Sequence, residues 1–270
     1  MLTKSTIRLV SSLRLRKFRL QEGLFVAEGP RLVGELLPVF CCRLLMATRE
    51  WMATEGQRWD VPVIIVSEAE LERVSSLQTP QQVVALFEIP SGEMSASAEI
   101  DCLLTNDQHH AHFSPDDLHI ALDGVQDPGN LGTIIRLADW FGVRHLWCSP
   151  LTVDVWNPKV VQSTMGGIAR VCVHYIDLPA FLAALPDDCP IYGTSLDGQS
   201  IWTTPIDTRG VIVMGNEGNG LTPGVERLCR QRLFIPNFPA GQPTTDSLNV
   251  AMATGIVLSE FRRRQSLLVS

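Results

Sequence analysis

The sequence predicts an α/β protein of two domains, and three observations carry that reading. Short apolar runs alternate with helix-like stretches along most of the chain. In the second half these runs are apolar on consecutive residues, the pattern of strands covered on both faces of a mostly parallel sheet. Between the two alternations, residues 91–117 dissolve into Ser, Ala, Asp, Asn, Gln and His without periodicity and read as a linker. Composition agrees, since 270 residues that are 45% hydrophobic and 19% charged can bury a sizeable core. That excludes a chain disordered throughout. No apolar run approaches the ~20 residues of a bilayer span.

The expected domains are therefore 1–90 and 118–270. The first twenty residues carry Lys4, Arg8, Arg14, Arg16, Lys17 and Arg19 and no acid. They hold no unbroken apolar block and no small-residue cleavage site, so they do not read as a secretory signal. A mitochondrial presequence is the weaker reading, because the segment runs directly into the first strand. Strand-like runs follow at 23–27, 43–47, 61–66 and 83–87, with helix-like stretches at 30–38, 49–56 and 67–77. Ser67 with Glu70 three residues on has the form of a capping box.

In the second domain strand-like runs fall at 119–125, 145–148, 170–174, 191–195, 210–215 and 233–236, and a helix at about 247–264 closes the chain. The helix after the first of these strands carries an apolar stripe of Leu131, Ile134, Ile135, Ala138 and Phe141. Arg136 lies off that stripe. Asn130 suits the N-cap, after a turn made by Pro128 and Gly129.

The net charge of −7 is unevenly spread, with +4 over 1–60, −10 over 61–126 and −1 over 127–270. Steering depends on where charge sits, so the basic start is a candidate phosphate contact, with a solvated helix face as the plain alternative. The seven cysteines form no C-x-x-C pair. They read as reduced thiols, neither disulfides nor a zinc site, in a reducing compartment such as the cytoplasm. His109, His110 and His112 fall in the linker and show no metal spacing.

Three polar segments lie after strands, where α/β proteins place their sites. They are Asp-Pro-Gly-Asn-Leu-Gly at 127–132 followed by Arg136, Gly-Asn-Glu-Gly-Asn-Gly at 215–220, and the stretch from Ile235-Pro236 to Ser247-Leu248-Asn249-Val250. Singly, each could be caps and turns. The glycine loop lacks the Lys-Ser/Thr of a P-loop, and no G-x-G-x-x-G appears at the first segment, so another class of nucleotide-dependent enzyme is disfavoured.

Taken together, N-x-G-x-x-x-R, then G-N-E-G-x-G-L, then I-P…S-L-N-V-A-x-A closely resemble the three motifs of the SpoU (TrmH-like) branch of the SPOUT-class RNA methyltransferases. The resemblance covers 118–270 strongly and reaches 22–37 and 79–90 more loosely. It implies methyl transfer from S-adenosylmethionine to a ribose 2′-hydroxyl, of ribosomal RNA first, with transfer RNA or a catalytically inactive RNA-binding member as alternatives. The fold it implies is a parallel sheet covered by helices with a deep trefoil knot, a small N-terminal α/β RNA-binding domain and a homodimer, without metal or membrane. The polar site residues it implies are Asn130, Arg136, Glu217, Ser247 and Asn249. The cofactor is expected against Thr194, Met214, Gly215, Asn216, Ile235, Pro236 and Leu248, and RNA against Arg14, Arg16, Lys17 and Arg19. Because Arg does not readily lose its proton, Arg136 is read as a clamp on phosphate and developing oxyanion, and the general base stays open. The long loop 237–246 leaves its own contacts open. The last helix is apolar nearly all round from 248 to 258 and must be covered on both sides, by a dimer contact first, with burial within one subunit as the alternative.

Overall fold

The computed structural model describes residues 2–55, 59–90, 113–239, 242 and 244–269. Most of the expected linker, with Cys102, His109, His110 and His112, lies outside these residues, as does Gly241. The chain forms two compact units, Met1–Met94 with Asp154–Arg170, and Ser95–Val153 with Val171–Ser270.

The first unit starts with two helices, α1 (Lys4–Ser12), capped by Thr3, and α2 (Arg16–Glu22). Gly23 ends α2 at a φ of +64°, a conformation that suits glycine. The chain then runs β1 (Leu24–Glu28), α3 (Pro30–Leu36), β2 (Cys42–Ala47), α4 (Arg49–Thr54), β3 (Val63–Ile65), α5 (Glu68–Glu72) and β4 (Val83–Glu88). Ser67 and Glu70 do form a capping box at the start of α5. The sheet order is β1-β4-β2-β3, with β4 antiparallel to both neighbours and β2 parallel to β3. All of β1 and all but the last residue of β4 are buried, and the one buried acid among them, Glu28 of β1, is bonded to Ser75 and Ser76.

The second unit holds a six-stranded, wholly parallel sheet. It begins with β5 (Leu118–Leu122), α6 (Pro128–Trp140) and β6 (His145–Cys148). The segment Asp154–Arg170, which the sequence reading left inside this domain, groups with the first unit and contains α7 (Pro158–Ser163). The second unit continues with β7 (Cys172–Tyr175), α8 (Leu178–Ala184), β8 (Ile191–Ser200), β9 (Gly210–Met214), α9 (Pro223–Glu226), β10 (Gln231–Phe234) and α10 (Val250–Val269). In the sheet order β10-β8-β9-β5-β6-β7 the central strands β9 and β5 are buried at every residue and apolar except for His119. On α6 four residues of the predicted stripe, Leu131, Ile134, Ile135 and Ala138, are buried, whereas Phe141 lies just past the helix end and is half-buried. Among the described residues no helix is long and apolar enough to cross a membrane.

Within the first unit, Asp154–Arg170 supplies core. Trp156 packs on Phe25 with ring centroids 4.6 Å apart and meets Phe40 edge-on at 5.9 Å. This segment also explains Arg19, which is only 2% exposed. Its Nε and Nη2 donate to Asp154 Oδ2 at 3.0 and 2.5 Å, and Nη1 donates to the carbonyls of Leu13 and Arg14 at 2.7 and 2.9 Å. A guanidinium so enclosed cannot reach a phosphate, and the expectation that Arg19 contacts RNA is corrected: it is a buried structural charge. Arg14, Arg16 and Lys17 are exposed. Arg14 spends one donor on the Ser75 carbonyl at 3.1 Å.

Candidate active site

The three polar segments follow the C-terminal ends of parallel strands, the end at which such sheets leave a crevice. The first follows β5. Asp127, not Asn130, caps α6: its carboxylate accepts the Asn130 N–H at 2.9 Å, and Pro128 takes the first helical position, where a missing N–H costs nothing. The expectation of Asn130 as cap is therefore corrected. Set one turn inside the helix, its carboxamide is free for other partners.

The second segment follows β9 and closes tightly on itself. A Cβ on Gly215 would stand 2.5 Å from the carbonyl carbon of Gly220, and Gly220 sits at a φ of +67°, so both positions demand glycine. Asn216 and Gly220 exchange backbone hydrogen bonds at 2.9 and 2.8 Å. The Asn216 Oδ1 accepts the N–H groups of Gly218 and Asn219 at 2.9 and 3.2 Å, while its Nδ2 donates to the Gly124 carbonyl at 2.8 Å. Asn216 thus frames the loop with its side chain rather than offering that side chain to a ligand. The frame presents Glu217 at the surface.

The third segment ends at α10, whose first turn is capped by Asn249 rather than Ser247. The Asn249 Oδ1 accepts from Ala251 and Met252 at 3.1 and 3.2 Å. The helix itself starts at Val250, three residues later than the sequence pattern suggests.

These three elements converge through their side chains. Asn130 Nδ2 donates to Glu217 Oε1 at 2.5 Å. Asn249 Nδ2 donates to Asn130 Oδ1 at 2.9 Å and to the same Glu217 oxygen at 3.0 Å. The Val250 N–H adds a further bond to that oxygen at 3.3 Å. One carboxylate oxygen therefore gathers donors from two other motifs. That leaves the second hydrogen of Asn130 Nδ2 and the Glu217 Oε2 without a partner among the described residues, and they are available to a substrate hydroxyl. Arg136, exposed on α6, makes no hydrogen bond or ion pair among the described residues. It and Ser247 are not bonded into the Asn130–Glu217–Asn249 cluster.

Beside the cluster lies a cavity of about 460 Å³, within the range of small-molecule sites. Glu217 and Ser247 reach it, and Thr194, Met214, Gly215, Asn216, Ile235 and Leu248 form its walls, whereas Pro236 is not among its lining residues. The Thr194 hydroxyl is turned inward and donates to the Val213 carbonyl at 3.1 Å. Leu196, 68% exposed, is a wall residue that sequence reasoning missed. The signal was weak, because the apolar run stops at 195 while β8 continues to Ser200. Apolar walls with main-chain donors and acceptors between them suit an adenine and a polar tail, so the cavity fits S-adenosylmethionine. Among the described residues no group of three or more His, Cys, Asp or Glu could hold a metal ion.

Residues 117–259 match the sequence profile of the SpoU rRNA Methylase family. The chain belongs to that family. Residues 4–85 match a second profile, the MRM3-like substrate binding domain. Among relatives in the family, the Bacillus subtilis 23S rRNA guanosine 2′-O-methyltransferase RlmP is 27% identical over 254 residues, covering 93% of each chain. A TrmH-family structure from Porphyromonas gingivalis superposes with a TM-score of 0.81 at 39% identity, over 98% of this chain and 99% of that one. An AdoMet-bound rRNA methyltransferase from Sinorhizobium meliloti gives a TM-score of 0.78 at 29% identity, over 98% and 96%. The mixed α/β fold with its parallel sheet is that of the family.

Proposed function

We propose that this chain transfers a methyl group from S-adenosylmethionine to a ribose 2′-hydroxyl of ribosomal RNA. The observation that carries this reading is the meeting of Asn130, Glu217 and Asn249 at the edge of a cavity of cofactor size. S-adenosylmethionine, when bound, supplies an electrophilic methyl group on a sulfonium. The chain's own residues must do the rest: hold the ribose hydroxyl in line, exclude competing water and stabilise charge on its oxygen. Glu217, already saturated at Oε1, holds Asn130 and Asn249 in register. Arg136 clamps the neighbouring phosphate and the developing oxyanion, and as a permanent cation it is not the base. Thr194, Met214, Gly215, Ile235 and Leu248 hold the cofactor.

The N-terminal unit binds the RNA, with Arg14, Arg16 and Lys17 on the phosphates. The chain end beyond β10 is threaded as a deep trefoil knot, as the family resemblance implies, and the enzyme acts in the cytoplasm as a homodimer. Supporting the dimer, two large apolar side chains stand exposed on helices that pack together, Trp140 on α6 at 83% and Met252 on α10 at 63%. Mapping 2′-O-methylation in RNA from cells with and without the gene tests the activity. Loss of one ribosomal ribose methyl supports it. Loss at a transfer-RNA position redirects the substrate, and no loss at all, with the purified protein failing to bind S-adenosylmethionine, refutes it.

A further inference from the structure

The glycine loop is fastened at both ends to the same dipeptide. Asp123 directly follows β5, and Gly124 comes next. The Asp123 side chain is 3% exposed, and its Oδ2 accepts the Thr222 N–H at 2.7 Å. The Asp123 N–H donates to the Met214 carbonyl at 2.9 Å, extending the β5–β9 ladder to the root of the loop. Gly124 accepts from Asn216 Nδ2 at 2.8 Å through its carbonyl, and its own N–H donates to Ser149 Oγ at 2.9 Å. Residues 216 and 222, on either side of Glu217, are thus tied to consecutive residues of one strand end. Four residues after that dipeptide comes α6, which carries Asn130. The same rigid point therefore fixes both partners of the 2.5 Å bond between Asn130 and Glu217.

A buried carboxylate is costly to keep unless a hydrogen bond rewards it. A plain apolar residue would fill the end of β5 more cheaply if packing were all that mattered. Of the two loop ends, the 216 end is secured redundantly by Asn216's own ring of bonds. The 222 end has the Asp123 carboxylate as its side-chain anchor. We infer that Asp123 is a positioning residue for methyl transfer: through Thr222 it sets where the loop places Glu217 relative to Asn130 and Asn249.

This inference rests on the methyltransferase reading for its kinetic consequence, but the latch can be read without RNA. In the full-length protein, Asp123→Ala should speed amide hydrogen exchange at Gly218, Asn219 and Gly220 at least ~10-fold, while the β5 and β9 amides stay protected. Single-turnover methyl transfer at saturating cofactor and RNA should fall about 30- to 300-fold. Asp123→Asn keeps an acceptor of the same shape and should recover to within about 5-fold of wild type. A double-mutant cycle supplies the readout that a purely structural acid would not move. In a Glu217→Ala background, Asp123→Ala should cost less than about 3-fold more, because what it positions is gone. Should Asp123→Ala fold poorly, Thr222→Pro removes the donor instead, at a residue whose φ of −65° proline already favours. It should reproduce both the exchange and the rate effects. Unchanged exchange at the loop amides, full additivity in the cycle, or no rescue by Asn would each overturn the assignment. An inactive wild type would overturn the functional reading alone, leaving the exchange data to decide the latch.

Discussion

Asn249 does two jobs with the two ends of one carboxamide, and Asn249→Asp separates them. The Oδ1 caps α10, and Asp caps as well as Asn, with an added gain from a negative charge at a helix start. Helix stability should therefore change by less than about 1 kcal/mol. The Nδ2 end is different. Its donated bonds at 2.9 and 3.0 Å vanish, and a second carboxylate oxygen arrives where Nδ2 stood, 3.0 Å from Glu217 Oε1. Two like charges 3 Å apart repel by over 1 kcal/mol even at the dielectric of water, so one carboxylate must swing away or take a proton. Either outcome removes Glu217 from Asn130. With lost orientation and lost hydrogen bonds combined, methyl transfer should fall about 100- to 1,000-fold. The assay is transfer of radiolabelled methyl to RNA under single-turnover conditions, beside a thermal melt and a cofactor titration. Asn249→Ala, which loses the cap too, should lose the same rate and also about 1 kcal/mol of stability. If Asn249→Asp kept wild-type turnover with an unshifted melt, the hydrogen-bonded cluster would not be the reaction centre.

Arg136→Ala should lower turnover about 100- to 1,000-fold with an unchanged melting temperature, since no described residue pairs with Arg136; a large fall in melting would make it a structural cation. Arg16→Ala with Lys17→Ala should flatten the salt dependence of RNA binding, measured by filter binding across salt concentrations, because fewer counterions are released. Arg19→Ala should instead leave that slope alone and destabilise the protein by about 3–5 kcal/mol in melts, as Asp154 is left without its buried partner. His174 gives a pH signature: burial first, and then the neighbouring His145 and His119, push it down to about 4. The unfolded chain takes up that proton near pH 6.5 and the folded one only near 4, so stability present above 6.5 is lost progressively as pH falls toward 4, by about 3 kcal/mol in all. His174→Phe should flatten this acid limb in denaturant titrations; an unchanged limb would place the titrating group elsewhere.

Strand positions were legible because a parallel strand covered on both faces is apolar at nearly every residue, and β5, β6 and β9 fall on such runs despite His119 and His145. The first helix of the second unit was legible in its stripe but not at its start. Asp127-Pro128 carries the cap signal, since proline belongs at the first helical position, yet Asn130 competes with it as an equally good capping residue. Of the site, the three motif segments were visible, but not which atoms meet. That Glu217 Oε1 would collect Asn130, Asn249 and the Val250 N–H depends on loop closure across 87 and 32 residues of chain. Arg19 was indistinguishable from the basic residues around it. Its burial is decided by Asp154, 135 positions away, and no local pattern encodes that pairing.

The excursion of Asp154–Arg170 into the first unit also sets a timetable for synthesis. When residue 94 has left the ribosome, Arg19 still lacks Asp154, and Phe25 and Phe40 still lack Trp156. Completion waits for residue 170, a delay of roughly 4–15 s at usual elongation rates. During that interval the nascent first unit carries an unmatched guanidinium and an uncovered aromatic face, so its core closes only after the first two strands of the second unit have been made. A fragment cut at the linker lacks Asp154 and Trp156, so the Arg19 guanidinium and the Phe25–Phe40 face lose the partners they have in the full chain.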